Sequence, residues 1–252
     1  MNKKALLFFL LVLLTISVGI AQREKPDTIK TADGNLIIQP ILHSALVLQW
    51  NDEVIYVDPY GGAGAYKGID APTLILITDI HSDHTNLETL KELDTKNATF
   101  VVPPAVAKLL KKEYEKQLVV IKNKGISALG SVLINAIPMY NLPENNSSKH
   151  PRGRGNGYVL KLGGKSIYIS GDTEDIPEMR NLHRIDIAFV CMNLPYTMDI
   201  HQAADAVLAF KPKIVYPFHY RGKPDMSDIA AFKKLVNAKN KKIDVRLRNW
   251  YP

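Results

Sequence analysis

LVLQWNDEVIYVDPY, residues 46–60, is answered 112 positions later by YVLKLGGKSIYISGD, residues 158–172. Each reads as an apolar strand, a two-residue turn (Asn51-Asp52 in one, Gly163-Gly164 in the other) and a second strand carrying Ile-Tyr and a branched residue. Each hairpin is followed by a further apolar run, TLILIT at 73–78 after the first and DIAFVCM at 186–192 after the second. Runs this short and this rich in branched residues are buried strands. The repeated pattern predicts two related mixed sheets packed face to face. Segments 87–93, 105–114, 202–210 and 228–236 have amphipathic helical spacing and belong outside them. Thr85 and Glu88 have the spacing of a capping box, which would start the first of these helices at once after residue 84. The predicted fold class is therefore α/β, an αββα sandwich of two mixed β-sheets flanked by helices.

A chain of 252 residues with 46% apolar content can bury one sizeable core, and no linker-like stretch interrupts it. Residues 1–21 stand apart. Lys3 and Lys4 precede an apolar stretch from Ala5 to Ile20 that ends in small residues, the pattern of a secretory signal peptide cleaved before Gln22. Residues 22–252 then form the single domain, periplasmic or secreted, with no stable membrane anchor after cleavage. Its net charge falls from +7 to +5, with 30 basic against 25 acidic residues. Lysines scattered without interleaved aromatics make solvated faces and exclude a nucleic-acid track. Cys191 is the only cysteine, so no internal disulfide forms and the core alone supplies stability.

The first apolar run stops at ITDIHSDHT, residues 77–85. Alternate side chains of an extended segment share a face, so Asp79, His81 and Asp83 can project together while His84 turns off where the helix starts. Four metal-friendly side chains in six residues have no common structural purpose. Similar residues recur at other strand ends: Asp172 closes SIYISGD, His219 closes IVYPFH, and His150 opens the loop HPRGRGNG before the second hairpin. A carboxylate such as Asp172 can bridge two divalent ions, which together clamp attacking and leaving oxygens.

D-x-H-x-D-H, GDT at a strand end and the late YPFHY resemble the metallo-β-lactamase superfamily of binuclear hydrolases, whose signature is H-x-H-x-D-H. GYVLKLGGKSIYISGDTEDIPEM through PYTMDIHQAADAVLAFKPKIVYPFHY is similar to its lactonase and phospholipase-like branch, and the likeness spans about residues 37–222. The resemblance implies that His81 serves a first metal, that Asp83, His84 and His219 serve a second, and that Asp172 bridges. Asp83 and Asp172 would then be the catalytic carboxylates. It also implies two divalent ions, zinc first with manganese or iron as alternatives, and attack of a metal-bound hydroxide on an ester, lactone or phosphodiester. Two positions depart from the pattern. Asp79 stands where the family has its first histidine, and IPMYN occupies the region of another, leaving His150 as the nearest substitute.

Asp79 would add negative charge to the first site, predicting tolerance of manganese and a rate profile shifted to alkaline pH. Arg152 and Arg154, beside His150, are candidates for holding an anionic group on a small-molecule substrate, and Tyr196 for lining the mouth. Asp58 reads as a structural residue or a partner of a ligand, and His43 as either packed or facing the site, while His183 and His201 read as surface and helix-start residues. No G-x-S-x-G occurs, so no serine nucleophile is expected. The competing reading is a metal-binding or scaffold protein of the same fold that lost hydrolysis through its altered first site. The signal-peptide assignment has a direct check: mass spectrometry of protein exported by its native host should find a chain beginning at or near Gln22, and Met1 retained in a membrane fraction would refute it.

Overall fold

A computed structural model describes residues 23–145 and 147–252; the predicted signal peptide, 1–21, lies outside the described residues. The first half of the chain builds a sheet from β1 (Asp27–Lys30), β2 (Asn35–Leu42), β3 (Ala45–Trp50), β4 (Glu53–Val57), β5 (Leu74–Leu76), β6 (Thr99–Val102) and β7 (Leu118–Val120). The second half builds another from β8 (Ile126–Leu129), β9 (Val132–Met139), β10 (Gly155–Leu162), β11 (Lys165–Ile169), β12 (Ile187–Cys191), β13 (Ile214–Phe218) and β14 (Asp244–Val245). Among the described residues both sheets have seven strands in sequential order. In each, the first four strands are antiparallel and the rest join in parallel.

The offset of 112 read in the sequence is kept residue by residue. Leu46 faces Val57 across the first hairpin and Tyr158 faces Ile169 across the second; Val47 faces Tyr56, and Val159 faces Tyr168. The Gly163-Gly164 turn needs positive φ at both positions, 56° and 71°, where a side chain would be strained.

TLILIT is apolar throughout because its strand is covered on both sides. Leu74 and Leu76 point into the core shared by the two sheets, among Leu36, Ile55, Leu160 and Ile167. Ile75 and Ile77 point the other way, toward Leu90 of α1 (Leu87–Glu92) and Val106 and Leu110 of α2 (Pro104–Tyr114). On the far side, Ala203, Val207 and Phe210 of α4 (Ile200–Phe210) and Phe232 and Val236 of α5 (Ile229–Lys239) cover the second sheet. The four helices stand where the amphipathic spacing put them. A short α3 (Pro177–Arg180), the edge strands and the first helix's cap differ from the sequence reading. Asn86, not Thr85, caps α1, its side chain accepting from Thr89 N at 2.8 Å. The Thr85 hydroxyl is taken instead by the carbonyl of Asp79 at 2.6 Å, which fixes the turn that follows β5.

Parallel strands of both sheets end at one edge, and cross-sheet bonds hold that edge together. Tyr158 Oη donates to Ile77 O at 2.8 Å, and Asn156 N donates to Thr78 O at 2.9 Å, so the second half grips the first immediately before residues 79–84. Trp250 adds a second tie. It is buried against Phe189, Tyr216 and Phe218, and its indole N–H donates across to Ala45 O at 3.2 Å. Trp250→Ala should cost about 3–5 kcal/mol, the range for deleting a large buried aromatic. Trp250→Phe should recover most of that, as read by urea denaturation; equal losses in the two would mean the hydrogen bond, not the packing, is the tie.

Candidate metal centre

Most members of the cluster sit just beyond a strand end. Asp58 follows β4, Asp79 to His84 follow β5, Asp172 follows β11 and His219 follows β13, while His150 comes from the β9–β10 loop. His43, Asp58 and His219 hold positive φ of 57°, 43° and 45°, a region that histidine and aspartate enter more readily than most residues but at a cost.

His84, Asp172 and His219 converge: His84 Nε2 lies 3.3 Å from Asp172 Oδ2, and His219 Nε2 lies 3.3 Å from Asp172 Oδ1 and 3.4 Å from Asp83 Oδ2. His150 Nε2 approaches Asp172 Oδ2 at 3.2 Å and Asp79 Oδ2 at 4.0 Å. His81 Nδ1 is 2.9 Å from Asp79 Oδ2. Two ligand-type groups result, Asp79 with His81 and His150, and His84 with Asp172 and His219; His43, Asp83 and His219 form a third that overlaps the second. All seven residues expected to ligate metal are therefore in one place.

The donor set fits a divalent cation. Among the described residues, His84 Nε2, His150 Nε2 and Asp172 Oδ1 are buried without a hydrogen-bond partner although all three belong to one cluster, His84 and His150 approaching Asp172 Oδ2 and His219 approaching Oδ1 at 3.2–3.3 Å, so their convergence serves something between them. Burial opposes charge on His84, but the carboxylates of Asp172 and Asp58 outweigh it and hold its pKa well above the ordinary histidine value. His219 is also desolvated, yet Asp172 and Asp83 raise it to about 9. Burial likewise works against the Asp172 carboxylate, and the two imidazoles pull it far below the usual range. This negative potential attracts protons when no metal is bound and would attract a cation in their place.

Three of the four ligand-type imidazoles have an outer partner. His84 Nδ1 meets Asp58 Oδ2 at 2.7 Å, and Asp58 also accepts from Thr78 N and Oγ1 at 2.8 and 2.6 Å. His150 is held by Asn141, whose Oδ1 accepts from the His150 backbone at 2.8 Å and lies 3.1 Å from its Nδ1. His219 Nδ1 lies 3.3 Å from His43 Nδ1, which Tyr251 Oη also approaches at 3.2 Å. Burial, then the neighbouring His219, lowers His43 to about 4, so it is a neutral partner. His183 and His201 are exposed and outside the site.

The two arginines do not stand where a substrate grip was expected. Arg152 lies over the Tyr140 ring, 4.2 Å from its centre, and pairs with Glu144 and Glu178 at 3.1 and 3.0 Å. Acidic neighbours claimed it, Glu144 from earlier in the β9–β10 loop and Glu178 from α3. Arg154 instead forms a fork on Asp79, Nε to Oδ1 at 3.0 Å and Nη2 to Oδ2 at 2.9 Å. That guanidinium matches the charge Asp79 adds, which removes the basis for an alkaline-shifted profile. Tyr196 does line the cleft over the cluster, a cavity of about 460 Å³ shared with Lys149, Lys223, Asn193 and Ser82. The two lysines and Asn193 escaped the sequence reading because nothing in their local pattern separates a cleft residue from a solvated one. Asn193 Nδ2 sits 3.3 Å from His219 Nε2.

A beta-lactamase superfamily domain is matched over residues 38–219. A metal-dependent hydrolase of Pyrococcus abyssi is 29% identical over 212 residues, covering 79% of this chain and 91% of its own. A crystal structure from Parabacteroides distasonis, described as that of a metal-dependent hydrolase, is 36% identical, covers 89% of this chain and 98% of its own, and has a TM-score of 0.79. Igni18, a metallo hydrolase of Ignicoccus hospitalis, shares the fold at 24% identity and TM-score 0.72, covering 84% of this chain and 94% of its own. The outer partners of the imidazoles carry a measurable expectation. Asp58→Asn should weaken zinc binding about 10–100-fold, as loss of a ligand's hydrogen-bonding carboxylate does elsewhere, read by competition with a chromophoric chelator; unchanged affinity would remove His84 from the ligand set.

Proposed function

The chain belongs to the metallo-β-lactamase superfamily and is a metal-dependent hydrolase; we propose that it cleaves an ester, lactone or phosphodiester bond in a small anionic molecule outside the cytoplasm. The observation that carries this reading is the trio of buried, unpartnered ligand atoms on His84, His150 and Asp172, the last two lining a cleft that Lys149 and Lys223 also line. Asp83, His84, Asp172 and His219 are the residues that would hold a divalent ion, zinc first, with manganese or iron(II) as alternatives for a site of mixed imidazoles and carboxylates. Such an ion supplies Lewis acidity and lowers the pKa of water toward neutrality.

The chain's own groups account for the rest. Asp83 reaches into the cleft and is a third exposed, so it can take or return a proton at the reacting centre while its Oδ2 stays near His219. Lys149 and Lys223, both exposed, supply charge for an anionic group on the substrate, and the Tyr196 ring, its centre 6.0 Å from Lys223 Nζ, adds a flat wall to the cleft. Arg152 and Arg154 are committed to carboxylates of the protein and leave that task to the lysines. Export is inferred from the pattern of residues 1–21.

The test is hydrolysis of a phosphodiester, an aryl ester and a lactone by metal-stripped and zinc-reloaded protein. Asp172→Asn should fold normally, lose bound metal and lose at least about 100-fold in rate, the scale of several kcal/mol of charge stabilisation. Full activity in that variant, or in the stripped protein, would dismiss metal-dependent hydrolysis at this cluster.

A further inference from the structure

The two ligand groups are not equally ready for metal. Asp172 leaves Oδ1 unpartnered, as His84 and His150 leave their Nε2 atoms. Asp79, which is fully buried, is already largely occupied. Its Oδ1 accepts from Arg154 Nε at 3.0 Å, and its Oδ2 is 2.9 Å from both Arg154 Nη2 and His81 Nδ1. A carboxylate offers about four acceptor directions, and three are taken.

His81 is drawn into the same arrangement: Nδ1 meets Asp79, and Nε2 lies 3.4 Å from Arg154 Nη2. Arg154 is pinned as well as paired, because Nη2 also donates to Lys149 O at 2.5 Å while Gly153, at φ 87°, turns the loop back on itself. Its side chain is only 18% exposed. A fixed, largely covered cation thus stands beside the place where a second metal would bring like charge. In the first group His150 keeps its Nε2 free, as the shared Asp172 keeps its Oδ1.

We infer that the Arg154 guanidinium acts as the resident cation of the first metal position, so that the protein holds one divalent ion firmly, on Asp83, His84, Asp172 and His219, and admits a second only weakly. This rests on the reading of the cluster as a metal centre. It gives the exchange of histidine for aspartate at position 79 a purpose: an imidazole could not anchor the arginine's fork, whereas a carboxylate does so and keeps the pair neutral. It also makes Arg154 a determinant of metal number, not a substrate grip.

The experiment is equilibrium dialysis of the full, chelator-stripped chain against a range of free zinc, with metal per chain counted by mass spectrometry and folding checked by thermal unfolding. The wild type should bind one zinc tightly and a second at much higher concentration. Arg154→Gln should tighten the second by about 10–100-fold, the usual scale for changing a ligand's neighbour, and the double variant Asp79→His with Arg154→Gln should do the same if the single variant folds poorly. Two equally tight ions in the wild type would overturn the inference. So would a weaker second ion in a folded Arg154→Gln, which would make the arginine an orienting partner that helps Asp79 bind metal. Failure of the wild type to bind even one ion, with Asp172→Asn indistinguishable from it, would instead strike the metal-centre reading itself.

Discussion

Three carboxylates, Asp58, Asp79 and Asp172, are buried at one sheet edge, and the rest of the site is arranged around the cost of keeping them there. A carboxylate away from water needs opposite charge or donors on its oxygens. Asp58 finds Thr78 and His84, Asp79 finds Arg154 and His81, and Asp172 finds only imidazoles that cannot all satisfy it. The first two therefore organise the frame, and the third is where an external cation is wanted. Nearly every other feature of the edge, from the Thr85 hydroxyl on Asp79 O to Asn141 on His150, keeps these partners from moving apart.

That edge exists because the two halves are joined through it. The interior between the sheets is apolar, and dispersion and burial hold the sheets together without fixing how their ends align. Tyr158 and Asn156 do fix it, by satisfying the carbonyls of Ile77 and Thr78 that would otherwise face a dry interior. A slip of one residue would break both bonds and turn the cluster out of register. The matched registers of the two hairpins place strand ends from both halves at the same level.

The frame was legible in the sequence because its signals are local: a strand, a turn and a strand announce themselves within fifteen residues, and so do amphipathic helices. Edge strands such as β1, β8 and β14 were not, being short and half exposed, with no apolar run to mark them. The ligands were legible as residue types at strand ends. Their partners were less so, for the pairing of Arg154 with Asp79 spans 75 positions and that of His43 with His219 spans 176. Arg152 and Arg154 share a loop and a charge, and only the three-dimensional neighbourhood separates an arginine claimed by Glu144 and Glu178 from one claimed by Asp79. The Thr85 hydroxyl could satisfy either a helix start or a nearby carbonyl, and the tight turn after β5 decided for the carbonyl.

The left-handed backbone at His43, Asp58 and His219 has a consequence for how this chain can change. Glycine would relieve the conformational cost at each of the three, so selection for heat resistance alone would drift toward it and erase a ligand or a ligand's partner at every step. Durability and chemistry are thus in direct competition at the same three codons. A lineage that keeps the side chains there is one in which the chemistry is still being used.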